Sequence, residues 1–517
     1  MPSSTPTAFR LRFLPALAGL VLPFLPFPLH AQDAVSARVA GWMAENQHAV
    51  VDELVDFLRI PNVASDLPNV RRNADALVEM MEARGITARL LETGGPPMVF
   101  GERRAPGATT TLLFYAHYDG QPVDPAGWVD HDPFEPILRT GRFEDGAETI
   151  PFPTTDPYHP DWRIYARSAS DDKMPILALM AALDALEAVG SAPNVNLKFL
   201  FEGDEEAGSP YLRSLIRDNL DLLSSDLVLM VDGPEHPSLV PTVVFGARGI
   251  TSVQITLYGA DRPLHSGHYG NWAPNPAHEM ALLLASMKDG NGRVLIDGFY
   301  DDVRPMSAEE EAAIALVQDD APSDFGFARP EGGAGVHRLE RIGLPSLNVR
   351  GLSSGWVGAD ARTLVPDSAV AEIDLRLVPD VEPEVQVARL VDHVARQGFH
   401  VVSESPDRAT RLAHPRIARV VSRPGGGYPA MRTSFDHPVA RQVVEAVRRS
   451  TPVDPVLMPM MGGSVPAVWF PREAGTDVLL LPTVNPDNHQ HAENENVRLG
   501  NVFRAVATLS AVMRSGS

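Results

Sequence analysis

The stretch Val195-Asn196-Leu197-Lys198-Phe199-Leu200-Phe201 runs straight into Glu202-Gly203-Asp204-Glu205-Glu206-Ala207-Gly208-Ser209, a short apolar run that ends in a dense group of carboxylates. An apolar segment of this length bounded by polar residues reads as a buried strand. Thr111 to His117, Asp226 to Val231 and Val478 to Leu481 share its texture, and the helical stretch Met174 to Val189 lies between the early ones. Strands that alternate with helices imply a mainly parallel mixed sheet flanked by helices, an α/β fold.

Upstream, residues 35 to 60 are expected to form a helix with Val51, Leu54, Val55, Phe57 and Leu58 on one face, and Asn73 to Arg84 a second. The texture changes between about Gly249 and Val421. Thr251 to Tyr258, Ala369 to Leu377 and His400 to Ser403 read as strands of a separate sheet, with helices at Pro276 to Met287 and Glu384 to Gln397. The expectation is a discontinuous α/β domain, residues 32–248 and 422–517, carrying an inserted α+β two-layer domain at 249–421. The α/β pattern resumes with a helix from Pro438 to Arg449. Residues 141–161, rich in Pro, Asp and Thr, read as a surface loop.

A chain of 517 residues exceeds what one core usually supports, and 44% hydrophobic content suits two globular domains. The formal net charge of −22 argues against nucleic acid or an anionic membrane as partner, because both require basic patches. Arg10 and Arg12 precede an apolar run from Phe13 to about Leu29, and Pro28-Leu29-His30-Ala31 follows, the pattern of a secretory signal cleaved after Ala31. The mature protein is therefore expected to be exported, periplasmic or secreted, with no membrane attachment after cleavage. Cysteine is absent, which excludes disulfides, a thiol nucleophile and cysteine metal ligands. Any bound metal must be held by His, Asp and Glu, a set that suits zinc or a similar divalent ion.

Paired carboxylates such as Glu205 and Glu206 can divide the work of metal chemistry: one binds a divalent ion while its neighbour handles the proton of the activated water. A solvated turn at a helix N-terminus explains the same acids equally well. His117 and Asp119 are two apart in an extended segment, so the carboxylate can hold one imidazole nitrogen and leave the other free for a metal. Asp171 and Asp172 precede a helix, where capping is the competing role. Asp232 closes an apolar run before Gly233-Pro234, and His489 and His491 sit in a loop after the last strand. Ligand sites in open α/β sheets gather at the carboxyl ends of strands, and all five clusters are expected there.

In this order His-x-Asp, Ser-Asp-Asp-Lys, Asp-Glu-Glu-x-Gly-Ser, a strand-end Asp and His-x-x-Asn-Glu resemble the dinuclear zinc exopeptidases that include carnosinase, aminoacylase and carboxypeptidase G. The segments Leu264-His265-Ser266-Gly267-His268-Tyr269-Gly270, Val294 to Gly298, Arg376-Leu377-Val378-Pro379 and Gly462-Gly463-Ser464-Val465-Pro466 look like the carnosinase-type dipeptidases. The resemblance implies two divalent ions, zinc with manganese or cobalt as alternatives. It implies that Asp171 bridges them, that His117 and Asp232 complete one, and that Glu206 and His491 complete the other, with His489 the alternative to His491. It also implies Glu205 as general base, Asp119 as the residue steadying His117, and His265 reaching the active site of a partner subunit in a homodimer formed through the inserted lid. Arg376 and the Gly462-Gly463-Ser464 turn are implied to hold the carboxylate of a small peptide substrate.

Three departures stand out: Ser168 and Met174 occupy positions where the family has glycine, the 141–161 segment with Phe152, Tyr158 and Trp162 is long enough to cover a site, and Gly233-Pro234-Glu235-His236 follows Asp232. The expected activity is hydrolysis of dipeptides or small peptides. A deacylase or carboxypeptidase acting on N-acyl amino acids is the alternative, and a non-catalytic exported binding protein the more distant one.

Overall fold

The computed structural model describes residues 33–516, the side chains of 423–426 excepted. The expected secretory segment, residues 1–31, lies outside the described residues. No helix among the described residues is long and apolar enough to cross a membrane.

The principal sheet has eight strands in the order Thr87–Leu91, Met98–Arg103, Asn196–Glu202, Thr111–His117, Leu227–Met230, Val478–Leu480, Thr242–Val244 and Val456–Met458. Its centre is parallel: Thr111–His117 pairs with Asn196–Glu202 and with Leu227–Met230, which pairs with Val478–Leu480. Antiparallel pairs flank this centre on both sides. The central strands are buried almost from end to end because helices cover both faces, and that is why they read as continuous apolar runs.

On one face the helices Ala34–Leu58, Lys173–Ala188, Pro438–Ser450 and Leu499–Val512 share a core with Phe114, Phe199 and Leu229. Asp33 starts the first of them, its carboxylate accepting from the N–H groups of Val35 and Ser36. On the other face the helix Leu212–Asp218 and residues 465–470 pack against Leu113, Tyr115 and Leu200. The helix Leu499–Val512 carries no expectation from sequence, and its polar residues Asn501, Thr508 and Ser510 are buried along with the apolar ones.

A second sheet has the order Ser346–Ser353, Ser368–Leu377, Gly249–Tyr258, Ile417–Tyr428, His400–Val402, with its own core formed with the helices Pro276–Met287 and Pro383–Arg396. Strand Ser368–Leu377 alternates strictly between half-buried and buried residues, the signature of a sheet with one covered face. Strand Ile417–Tyr428, paired with Gly249–Tyr258, continues beyond the domain boundary expected at residue 421. The ladder jumps from the pair Val253 and Ser422 to the pair Thr251 and Gly427, so a bulge absorbs the Pro-Gly-rich segment that reads as a loop in sequence.

The 141–161 segment is a largely exposed loop that carries one short strand. Its Thr149–Ile150 forms the edge of a four-stranded sheet with Ile137–Arg139, Arg163–Tyr165 and Asn496–Arg498, strands too short to show periodicity. Tyr158 belongs to the principal core, and Phe152 and Trp162 pack on it, so these aromatic residues anchor the segment instead of covering a site.

The chain passes between the two sheets where Gly246–Ala247 pairs with Met431–Arg432, just before Gly249 begins its strand. A Cβ on Gly249 would lie 2.4 Å from the Tyr428 carbonyl oxygen and 2.7 Å from the Ala430 nitrogen. Both are backbone atoms that no rotamer change can move away. Gly249→Ala is therefore expected to destabilise the protein by about 1–3 kcal/mol, read as a lowered urea midpoint.

Candidate metal centre

His117 ends a central strand of the principal sheet and is buried. Its Nε2 lies 2.9 Å from Asp171 Oδ1, and its Nδ1 lies 3.4 Å from Asp119 Oδ1. The carboxylate of Asp119, itself fully buried, also accepts from the backbone N–H groups of Glu205 (3.1 Å) and Glu206 (3.0 Å). One side chain thus orients both the imidazole and the acidic turn that follows Asn196–Glu202. The Glu206 carboxylate is further fixed by Gln121, whose Nε2 donates at 2.8 Å.

Asp171 and Asp172 do not follow a strand of the principal sheet, contrary to expectation. They come after Arg163–Tyr165 of the four-stranded sheet and immediately precede the helix Lys173–Ala188. Asp172 makes no side-chain cap on that helix; its Oδ2 accepts from the His117 N–H at 3.3 Å and its buried Oδ1 has no hydrogen-bond partner.

The turn that carries these aspartates is held by Glu495, for which the sequence suggested no role. Glu495 is completely buried and accepts from the N–H groups of Ser168 (3.0 Å), Ser170 (2.9 Å) and Asp171 (3.0 Å) and from Arg167 Nη1 (2.7 Å). Lys173 points the other way. Its ammonium is buried and donates to the carbonyls of Phe57 (2.8 Å) and Ile60 (2.7 Å), tying the motif to the end of the helix Ala34–Leu58.

Ligand atoms of His117, Asp172 and Asp232 lie within 4.8 Å of one another, as do those of Asp171, Glu206 and His491. Asp171 links the two groups, with Oδ1 toward His117 and Oδ2 3.0 Å from His491 Nε2. The structure brings together all five residues expected as ligands and adds Asp172 to the first group. His489 is directed elsewhere, with Nε2 2.8 Å from Glu144 Oε1.

Burial raises the pKa of Asp232 to about 6 and of Glu206 to about 7, with the charge of Asp171 adding to each, whereas Asp171 itself, against the opposing effect of burial, is held below the usual range by His117 and His491. Glu205 is raised well above the ordinary carboxylate range by burial and, among its charged neighbours, by Asp232, Glu206 and Asp119. Below them Glu202, raised to about 8 chiefly by burial, accepts from the Tyr115 hydroxyl at 2.5 Å. Converging acids, two histidines and an orphaned buried oxygen on Asp172 form a donor set that fits divalent cations.

Of the substrate contacts expected from the family, Arg376 and Ser464 do meet, Nη1 donating to Oγ at 3.1 Å. The Gly462-Gly463 turn is pinned where the Met461 N–H reaches the Gly246 carbonyl (2.9 Å) and the Arg248 N–H reaches that of Gly463 (3.1 Å). His265 is exposed, its Nδ1 accepting from the Gly267 N–H at 3.1 Å, and among the described residues no hydrogen bond joins it to the acidic cluster of the same chain. Ser168 adopts φ 60°, a left-handed conformation that favours glycine, and its Oγ accepts from Asn62 Nδ2 at 2.9 Å. Met174 is fully buried in the principal core and does not alter a pocket wall. Glu235 is buried against Arg504 and Asn501, with oxygen to nitrogen distances of 2.5 and 2.9 Å.

A parallel-centred sheet that brings two groups of His, Asp and Glu together beside its strand ends defines a candidate metalloenzyme site. Residues 113–515 match the model of peptidase family M20/M25/M40, and the chain belongs to that family. It is similar to the Cys-Gly metallodipeptidase of Candida albicans, 28% identical over 495 residues that span 90% of this chain and 93% of that one. It is also similar to the human Beta-Ala-His dipeptidase, 26% identical over 433 residues, 80% of this chain and 76% of that one. Among solved structures, an M20 family metallo-carboxypeptidase from Sulfolobus solfataricus superposes with a TM-score of 0.71 at 28% identity, covering 90% of this chain and 98% of that one. Human carnosine dipeptidase 1, with a TM-score of 0.66 at 21% identity over 93% and 99% of the two chains, shares the fold.

Glu495→Gln retains the size of the side chain but removes the charge facing Arg167 and replaces one acceptor by a donor. Loss of such a support for ligand residues typically costs about 10–100-fold in metal affinity. That weakening, with little change in the far-ultraviolet circular dichroism, is the expected result of a divalent-ion titration.

Proposed function

We propose that this metallopeptidase hydrolyses the amide bond of dipeptides or small peptides bearing a free C-terminal carboxylate, at a centre of two divalent ions, zinc by preference. The observation that carries the reading is the pair of ligand groups joined through Asp171, with Glu205 beside them and outside both groups. His117, Asp172 and Asp232 would hold one ion, Glu206 and His491 the other, and Asp171 both. Bound there, the ions supply Lewis acidity that polarises the scissile carbonyl and makes water a better acid.

Glu205 takes the proton of the attacking water and passes it to the leaving amine. Burial raises its pKa well above the ordinary carboxylate range, which strengthens it as a proton acceptor. Asp119 keeps Glu205 in place through its backbone N–H and keeps the His117 ring in one orientation. Arg376 and the Gly462-Gly463-Ser464 turn receive the substrate carboxylate, the guanidinium as a fork and the turn through backbone donors. The dipeptidase activities named for the Candida and human relatives support a dipeptide substrate, and the likeness to a metallo-carboxypeptidase supports recognition at the C-terminal end.

His265, exposed on the short strand Leu264–His265 that pairs with Leu364–Val365, is free to enter the active site of a partner subunit and stabilise the oxyanion in a homodimer built on residues 249–421. The basic and apolar N-terminal segment supports export.

Chelator treatment is expected to abolish dipeptide hydrolysis, and adding back zinc, manganese or cobalt to restore it; hydrolysis that survives the chelator would refute the metal mechanism. Glu205→Gln is expected to retain metal stoichiometry by elemental analysis while kcat falls by about 10²–10⁴-fold. A variant with near-normal kcat would remove Glu205 from the role of base.

A further inference from the structure

A cavity of about 730 Å³, lined by none of the metal-ligand candidates, is walled by the strand beginning at Ser346, the helix Arg338–Ile342 and the preceding segment 319–337. Cavities of this size accept ligands larger than a single amino-acid side chain. Phe325 and Phe327, their rings stacked at 6.2 Å, line it with 65% and 46% of their surfaces exposed, and Tyr300, Ile342 and Leu347 add further apolar wall.

The polar part of the lining is cationic in excess. Five basic residues, Arg248, Lys288, Arg329, Arg338 and Arg341, face three acids, Asp319, Asp320 and Glu331. Lys288 is paired with Glu331 at 2.7 Å, and Arg338 with Asp320 at 2.7 Å and Asp319 at 3.9 Å. Among the described residues Arg248, Arg329 and Arg341 have no carboxylate partner. Arg248 is only 9% exposed; its Nη2 donates to the Leu344 carbonyl (2.8 Å) and Ser346 Oγ (2.9 Å), while its Nε is buried with no acceptor. A buried guanidinium nitrogen without a partner is costly.

We propose that this cavity is a binding site for a small organic carboxylate carried on an aromatic or aliphatic body, the body against Phe325 and Phe327 and the carboxylate against Arg248 and Arg341. A carboxylate matches the guanidinium fork, and the exposed rings require an apolar partner. The site adjoins the Gly462-Gly463 turn: Ile342 lies in van der Waals contact with the Cβ position of Gly462 at 3.5 Å, and the Arg248 N–H binds the Gly463 carbonyl. The inference concerns binding and stands independently of the hydrolytic reading.

The test is calorimetric titration of the metal-loaded full chain with 4-phenylbutyrate and with its neutral isostere 4-phenylbutyramide. The acid is expected to bind about tenfold or more tightly than the amide, the range of a hydrogen bond to a charged group. Arg341→Ala should erase that preference and leave amide binding unchanged, whereas Phe327→Ala should weaken both ligands. Equal binding of acid and amide, absence of binding, or an acid preference indifferent to Arg341→Ala, as for a carboxylate landing on the metal centre, would overturn the proposal. So would loss of self-association in Phe327→Ala without any binding of phenylbutyrate, which would assign the cavity to a second copy of the chain.

Discussion

A crowd of buried carboxylates sets the terms for this structure. Asp119, Asp172, Glu202 and Glu495 are fully buried and Asp171 nearly so, all close to His117. An ionised carboxylate in a low-dielectric interior costs several kcal/mol unless hydrogen bonds or cations compensate it. Compensation differs from residue to residue. Asp119 receives two backbone N–H groups, Glu495 receives three and an arginine, and Glu202 receives a phenol. Asp171, Asp172, Glu206 and Asp232 receive less and converge with two histidines on one region, where divalent charge would complete the balance.

Holding such a cluster together requires rigid support from several directions. The parallel centre of the principal sheet aligns the ends of Thr111–His117, Asn196–Glu202 and Leu227–Met230, which place His117, the Glu205-Glu206 turn and Asp232. Asp171 arrives by another route. The pairing of Arg163–Tyr165 with Asn496–Arg498 sets Glu495 beside residues 168–171, where its carboxylate gathers their N–H groups. Lys173 then locks the start of its helix to the end of Ala34–Leu58. The four-stranded sheet, slight as it is, therefore has a larger part in forming the centre than its size suggests.

Legibility in the sequence followed local periodicity. Thr111–His117, the helix Pro276–Met287 and the alternating Ser368–Leu377 were readable to within a residue because one apolar period runs through each. Two- and three-residue strands such as Thr149–Ile150 and Arg163–Tyr165 carry no period at all. The bulged strand Ile417–Tyr428 was not anticipated, because Pro424 and the glycines after it interrupt any apolar pattern in its second half. In the site, the histidines and acids were found through residue type and spacing. Glu495 lacked a role because its partners, residues 167–171, are more than three hundred positions away in the chain. Ser168, unusual in sequence, is explained by a left-handed backbone and the amide of Asn62.

Taken alone, the sequence determined the α/β character of the fold, the inserted second sheet and the chemical identities of the metal-binding candidates, since these rest on residue type and on spacing within single segments. Only the tertiary structure decided that Asp172 belongs with His117 and Asp232, that His489 is engaged by Glu144, and that Arg248 leaves a buried nitrogen without a partner beside a separate cavity. Each of these depends on which distant segments share a small volume, and on whether the charges brought there are matched, and no local pattern of residues records either.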